Sequence, residues 1–557
     1  MSLSNASPLR RFTPGFLLAP MTPRRTWLTA FLVFCLLGAA WSLAMPYDGP
    51  ADELQHVLRA YGVWSGQVLP STPDLLVPQS LVPHGLDTLA SCFRWQHTVS
   101  AHCAATAGAN TAQIHHLIWF PSNAANYSPI YYWLVGWPIR IWPTYFGIIA
   151  ARLLTTLFMS AFIAFAITAL SRVKHSRWML AGLLVALTPV TVNLEGGVNP
   201  AGPEIVVGLA LFAALIAIVD ARRPSAGLVR LACVSAAFLA VFRSFGPEWM
   251  VLILAVSALG LGWPRLLNPR GWLPGLRRVL GNRTLQRWLP LSVVGLGFGL
   301  YWDEFTGGVG NLAAGSTAGQ IGLAHAYVDE LWSRTTYYTD GFIALTSYGD
   351  VPTPQLVFYI WFGVCAALIL LALAVSSWLN RLRIAGTIAA AYVILIYPDA
   401  ETVTHGWWLS QGRYALPFIV GAPLLAAHAL GEQRLLAAVH LRKLTRLMAL
   451  ILLPIQLVML YLTMIRFESG GKHLNVLHGS WHPALGPELP LLVCCAGIAV
   501  AWYMALRLSE SEPELESGSD SESGSAELPL EEDEGQTAVG RVIPQATGER
   551  SALSAGT

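Results

Sequence analysis

Apolar residues dominate this chain in blocks, and charged residues gather between the blocks. Predominantly apolar runs fall at about 27–44, 146–170, 178–194, 199–220, 228–245, 247–263, 288–303, 354–378, 384–399, 412–431, 446–466 and 488–508. A membrane-crossing helix needs roughly 20 such residues. The pattern therefore predicts an all-α, polytopic integral membrane protein with about twelve transmembrane helices. The stretch Ser128 to Pro143 is also apolar, but it is short, aromatic and flanked by prolines. It reads as a re-entrant or interfacial piece, or as the tilted start of the second span.

Charge sets the orientation. With residues 1–26 in the cytoplasm, the inner segments collect Arg10, Arg11, Arg24, Arg25, the Arg172–Arg177 cluster, the arginines from Arg265 to Arg287, and Arg434 to Arg446. Positive residues favour the cytoplasmic side of short loops, so both termini are expected there. The first apolar run ends in no small-residue cleavage motif and reads as a retained helix. The segments left outside are about 46–145, 195–198, 304–353, 400–411 and 467–487. The first, too long for a simple connector, is rich in aromatic residues, His and Pro, and predicts short helices lying on the outer leaflet. Residues 27–508 thus form one membrane domain with a large extracytoplasmic loop at 46–145.

Composition sharpens this picture at one end. The chain has 557 residues, 54% of them hydrophobic and only 12% charged. Of its 32 acidic residues, twelve lie in 509–557, against only Arg541 and Arg550. Such a Ser/Glu/Asp-rich tail cannot bury enough apolar surface to fold. It reads as a disordered cytoplasmic segment, open to a cytoplasmic partner. Of seven cysteines, only Cys92 and Cys103 fall outside the apolar runs, and in an oxidising compartment they are candidates for a disulfide. No Walker motif or Gly-rich dinucleotide fingerprint is present, and nothing points to nucleic acid.

The chemistry-bearing residues crowd the expected outer face. Directly after the first run come Asp48, Asp52, Glu53 and His56. Carboxylates placed beside a membrane cost free energy and are functional candidates. Further polar sites are Asn193 to Glu204, Arg243 to Glu248, Tyr301 to Glu304, and His405 to Pro417. In the last of these, Arg413 enters the apolar run with no acidic neighbour in sequence; a guanidinium so placed suits a phosphate. Carboxylates able to take a proton and arginines able to hold a phosphate together suit group transfer from a lipid phosphate to a hydroxyl.

At these residues the sequence resembles the bacterial membrane-protein family called domain of unknown function 2142. The resemblance rests on Asp52-Glu53-Leu54-Gln55-His56 with Arg59-Ala60-Tyr61, on Tyr127-Ser128-Pro129-Ile130-Tyr131-Tyr132, on Asn199-Pro200-Ala201-Gly202, and on Gln411-Gly412-Arg413-Tyr414-Ala415-Leu416-Pro417. Ala51 and Ala201 depart from the pattern, where proline and aspartate are usual. The resemblance implies a GT-C-like fold in a bacterial plasma membrane. It also implies an inverting transfer of sugar from a polyprenyl-phosphate donor to a cell-envelope glycan or lipid acceptor. Asp52 or Glu53 would be the base, with Asp48 third and His56 as an orienting or metal-linked partner. Arg413, Arg243, Gln411 and Tyr414 would bind the donor phosphate. Some GT-C enzymes use a divalent metal (Mg or Mn), which leaves that cofactor open. A transporter or flippase of lipid-linked saccharides, and an assembly scaffold, are the alternatives.

Overall fold

The computed structural model describes residues 20–69, 79–83, 92–106, 116–221, 223–261, 281–306, 322–403, 408 and 410–510. The N-terminal arm before residue 20, the arginine-bearing stretch 262–280, His405 to Trp407 and the acidic tail beyond Glu510 lie outside the described residues. The first helix, α1 (Pro23–Ala44), opens with Thr22 as its cap, whose side chain accepts from the Arg25 amide at 3.3 Å. Pro23 follows in the first turn, where its missing N–H costs nothing. The helix ends before Pro46, and α2 (Glu53–Trp64) begins seven residues later.

Among the described residues, each of the twelve apolar runs falls largely on helix, but the count of twelve spans is not confirmed. Among the described residues, eight helices are long and apolar enough to cross a membrane. They are α1, α4 (Tyr145–Leu170), α7 (Ala201–Asp220), α12 (Gln355–Val375), α13 (Trp378–Val403), the Gly412–Gln433 stretch that ends in α14 (Gly421–Gln433), α15 (Ala438–Ser469) and α16 (Glu488–Glu510). A ninth would be the pair α5 (Ser176–Ala186) and α6 (Pro189–Glu195), bent by 71°. Pro189 lies at that break, where it removes a helical hydrogen-bond donor.

The hairpin of α8 (Ala226–Phe242) and α9 (Gly246–Leu259) has only 17 and 14 residues. At 1.5 Å per residue these helices reach about 26 and 21 Å, short of a ~30 Å hydrocarbon layer. The helix α10 (Arg283–Thr306) carries charges at both ends, which shorten its apolar stretch.

The large first loop is mixed rather than purely helical. Residues Gln79–Pro83 (β1) pair antiparallel with Leu117–Pro121 (β2), with Leu81 opposite Trp119. The Ser128–Pro143 segment forms α3 (Pro129–Val135) and a single turn Trp137–Ile141. At seven and five residues neither can span, so the segment is a short helical shelf beside α2. Its exposed Trp133 and Trp142 have the amphipathic character of residues that settle at a membrane interface, and the apolar Ile141 and Phe146 are exposed beside them.

Close helix contacts rest on small residues, as expected where lipid supplies no hydrophobic drive. A Cβ on Gly208 of α7 would sit 2.2 Å from the Pro417 carbonyl, and one on Gly38 of α1 would sit 2.6 Å from Glu195. Polar contacts then sort to two ends. One end carries Arg25 on Tyr503, the Lys174 amide on Asp220, Asn380 on Glu432 and Arg446 on Glu510. The other carries the turns after α1, α6, α8 and α15 together with the Ser410–Arg413 turn. The site lies at this second end.

Candidate active site

The stretch from Met45 to Glu53 carries three carboxylates into three different surroundings. Asp48 and Asp52 both adopt left-handed backbone, with φ of 60° and 61°. This is a conformation that aspartate tolerates better than most residues. Two such residues four apart wind the turn tightly and send successive acids to opposite sides.

Asp48 is fully buried. It accepts from the Leu54 amide at 2.8 Å, the Tyr348 hydroxyl at 2.7 Å and Arg94 Nε at 3.0 Å. Burial pushes its carboxyl up to about 7, against the pull of Arg94 and Tyr348. Every one of these contacts is a donor, so the aspartate serves as a tie between the first loop and Tyr348.

Glu53 is fully buried as well. Arg152 of α4 grips it with two hydrogen bonds, Nε to Oε1 at 2.7 Å and Nη2 to Oε2 at 2.5 Å. The amides of Val198 and Asp48 complete its four acceptor positions at 3.0 Å each. The same guanidinium caps the end of α1 through the carbonyls of Ser42, Met45 and Pro46. Arg152 was missed in the sequence reading, although an arginine inside the 146–170 run is the signal that finds it.

Asp52 differs. Its side chain is 36% exposed, it receives a charge-assisted hydrogen bond from Arg413, and it borders an open cavity of about 150 Å³. The cavity is also lined by Gln55, His56, Tyr127, Asn199, Arg243, Ser410, Gln411, Arg413 and Tyr414. All four sequence motifs therefore contribute to one wall or another. Asp48 and Glu53, by contrast, stand behind it.

The wall residues are held by their neighbours. His56 is buried, with Nδ1 2.8 Å from the Tyr132 hydroxyl. Burial, then the charges of Arg243 and Arg413, push its pKa down, so the imidazole is neutral at neutral pH. Arg59 fixes the Tyr127 carbonyl at 2.8 Å and so sets the edge of the cavity. Asn199 donates to the Ala51 carbonyl at 2.8 Å and accepts from the Ala201 amide at 2.9 Å; it joins the α7 start to the acidic turn. Arg243 pairs with the buried Glu204 at 3.2 Å and stacks 4.4 Å above the Tyr414 ring, a cation–π contact.

The Gln411–Tyr414 turn needs its glycine. A Cβ at Gly412 would lie 2.2 Å from the Tyr338 carbonyl on α11 (Thr335–Ile343). That close crossing is what points Arg413 across to Asp52.

A disulfide-bonded loop braces the acidic turn from behind, on Asp48. Cys92 and Cys103 form a disulfide with Cα atoms 6.2 Å apart. Within that loop Arg94 holds Asp48. Arg466 at the end of α15 donates to the Val99 and Phe93 carbonyls at 2.7 Å and to Asp350 at 2.6 Å.

Among the described residues, no three His, Cys, Asp or Glu side chains gather as metal ligands. Asp52 faces an arginine and His56 faces a tyrosine hydroxyl. These residues do not form a ligand set for Mg or Mn, and no step below passes through a metal.

Comparison with known sequences places the chain in a family. Residues 35–422 match the family described as predicted membrane protein DUF2142. The chain belongs to this family. In this DUF2142 chain, the Tyr127–Tyr132 motif places Tyr132 on His56 and Tyr131 on Thr155, the latter at 2.9 Å. Comparison with curated proteins returns no match. Two crystal structures of ArnT from Cupriavidus metallidurans are similar. The one bound to undecaprenyl phosphate has 13% identity and a TM-score of 0.38, covering 87% of this chain and 77% of that one. The apo form has 12% identity and a TM-score of 0.37, covering 88% and 77%. At that distance neither residue roles nor activity carry over.

Proposed function

We propose that this protein is an inverting glycosyltransferase that moves a sugar from a polyprenyl-phosphate donor to a hydroxyl of a cell-envelope glycan or lipid. The reading is carried by one observation: the only carboxylate of the acidic turn that borders the cavity, Asp52, is paired there with Arg413. The arginines on the opposite end of the bundle support an orientation with this cavity on the outer face and both termini in the cytoplasm.

Each group then has a role. The donor phosphodiester, whose two non-bridging oxygens share one negative charge as those of a carboxylate do, competes with Asp52 for Arg413 and draws it away on binding. Asp52, released, accepts the proton of the acceptor hydroxyl. That oxygen forms a bond to the anomeric carbon from the opposite face, and the bond from carbon to phosphate oxygen breaks. The electron pair leaves with the polyprenyl phosphate, whose charge Arg413 and Arg243 stabilise. His56, neutral and hydrogen-bonded to Tyr132, orients the acceptor. Gln411 and Tyr414 complete the phosphate end. Glu53 and Asp48 hold the turn in shape.

A second reading has one observation in its favour. The 71° break between α5 and α6 resembles the discontinuous helices of transporters, which suits a carrier of lipid-linked saccharide. The test separates the two. Membranes with wild type, Asp52→Asn or Arg413→Ala are given labelled polyprenyl-phosphate sugars. The glycosyltransferase reading expects label in a glycan or lipid product, falling at least about a hundredfold in Asp52→Asn. Label that crosses the membrane unchanged, with Asp52→Asn as active as wild type, favours the carrier.

A further inference from the structure

Behind the Ser410–Arg413 turn lies a second buried cluster that the mechanism above does not use. The Tyr338 hydroxyl is 2.6 Å from Glu330 Oε2 and 2.5 Å from Asp399 Oδ2. All three side chains are buried. A phenol has one proton, and two short oxygen–oxygen contacts to carboxyl groups need two. A second proton is therefore held on one of the carboxyls. Arg334 balances the charge that remains, lying 3.1 Å from Asp399 and 3.4 Å from Glu330.

The same cluster grips the catalytic turn. Asp399 Oδ1 accepts from the Ser410 amide at 2.9 Å, and Arg334 Nη2 donates to the Ser410 carbonyl at 2.9 Å. Tyr338 also supplies the backbone against which Gly412 is pressed. Both ends of the Ser410–Gly412 segment thus depend on one tyrosine and its acidic partners.

We infer that Glu330, Tyr338 and Asp399 share a proton that positions the Ser410–Arg413 turn, so that Arg413 is aimed at the cavity only while the proton is held. Burial first, then the neighbouring Asp399 charge, pushes Glu330 up to about 7, while Tyr338 and Arg334 oppose that rise. The Tyr338 phenol is pushed up and stays protonated. Among the described residues near this turn, His325 and Glu401 are exposed to solvent, and Asp329 and Asp340 are half-buried. A carboxyl raised from its unfolded value favours the fold at low pH, and that contribution fades as pH rises through about 7. Above that point Glu330 gives its proton to solvent. Two buried carboxylates then repel across Tyr338, and the hold on Ser410 loosens.

The importance of this for catalysis rests on the glycosyltransferase reading, but the test does not. Infrared difference spectra of the purified full chain, taken between about pH 6 and about pH 8, report loss of a protonated carboxyl. Hydrogen exchange of the peptide containing Ser410 reports the grip, compared between variants at the same pH. The expected result is a carboxyl signal titrating near pH 7 in wild type that is smaller by one carboxyl in Glu330→Gln, the part that stays belonging to groups such as Asp48. Exchange protection at Ser410 should fall about tenfold across that range in wild type and stay flat in Glu330→Gln. Asp399→Asn, which removes the neighbouring charge, should move the titration to lower pH and so covers the case in which Glu330→Gln fails to fold. An unchanged carboxyl signal in both variants overturns the inference, as does Ser410 exchange that is the same in wild type and Glu330→Gln at every pH. If both readouts appear but no sugar is transferred, the shared proton stands and the glycosyltransferase reading falls.

Discussion

Arg413 donates a hydrogen bond to the Asp52 carboxylate across 361 positions of sequence. The pair joins the turn after the first helix to the turn that opens the Gly412–Gln433 span, and it stands at the edge of the cavity. Its neighbour Glu53 makes an ion pair of a different kind, sealed from solvent with Arg152. Two adjacent acids therefore have two different jobs, and their variants should separate them.

Glu53→Gln leaves the Arg152 guanidinium buried without a counter-charge. Breaking such a pair costs about 3–5 kcal/mol. The expected outcome is a large drop in thermal stability in detergent and low yield from membranes, read by a melting curve. Asp52→Asn should melt near wild type, because its pair is partly exposed.

Reducing the Cys92–Cys103 disulfide, or Cys92→Ser, frees a loop of about a dozen residues, worth about 3 kcal/mol in the chain-entropy picture. Arg94 then loses its fixed place beside Asp48. Protease sensitivity of the 92–103 loop should rise, while the membrane-embedded helices remain protected. Equal cleavage of oxidised and reduced protein would contradict the bracing role given to this loop.

Gly412→Ala puts a methyl against the Tyr338 carbonyl, which cannot give way as a flexible side chain would. Overpacking of this kind costs about 1–3 kcal/mol and moves Arg413. Transfer should fall at least about tenfold with protein levels kept, a larger loss than for Gly297→Ala, where a Cβ meets open space.

Much of this was legible in the sequence because helix ends are forced to meet. Once the apolar runs fix which ends share a face, Asp52, Asn199, Arg243 and Arg413 must approach one another, and their order along the chain already marks them. The assignment among Asp48, Asp52 and Glu53 was not legible. It depends on two left-handed aspartates, whose turn sends one acid to the cavity and two behind it, and on Arg152 lying one helix away. The span count was hidden for a similar reason. Apolar runs such as 228–245 and 247–263 read as full crossings, yet the turn at Arg243 leaves helices of 17 and 14 residues there, which do not confirm them as crossings. The Tyr338 cluster was invisible, since Asp399 lies 61 positions from Tyr338 and meets it and Glu330 only after α11 packs on α13.

The most direct test of the account is the affinity of a polyprenyl phosphate for wild type and for Asp52→Asn, measured beside sugar transfer. If the phosphate must draw Arg413 away from Asp52, removing the carboxylate charge should tighten binding several-fold, up to the roughly tenfold that ~1.4 kcal/mol represents, while transfer is lost. Binding that weakens in Asp52→Asn as it does in Arg413→Ala would contradict it.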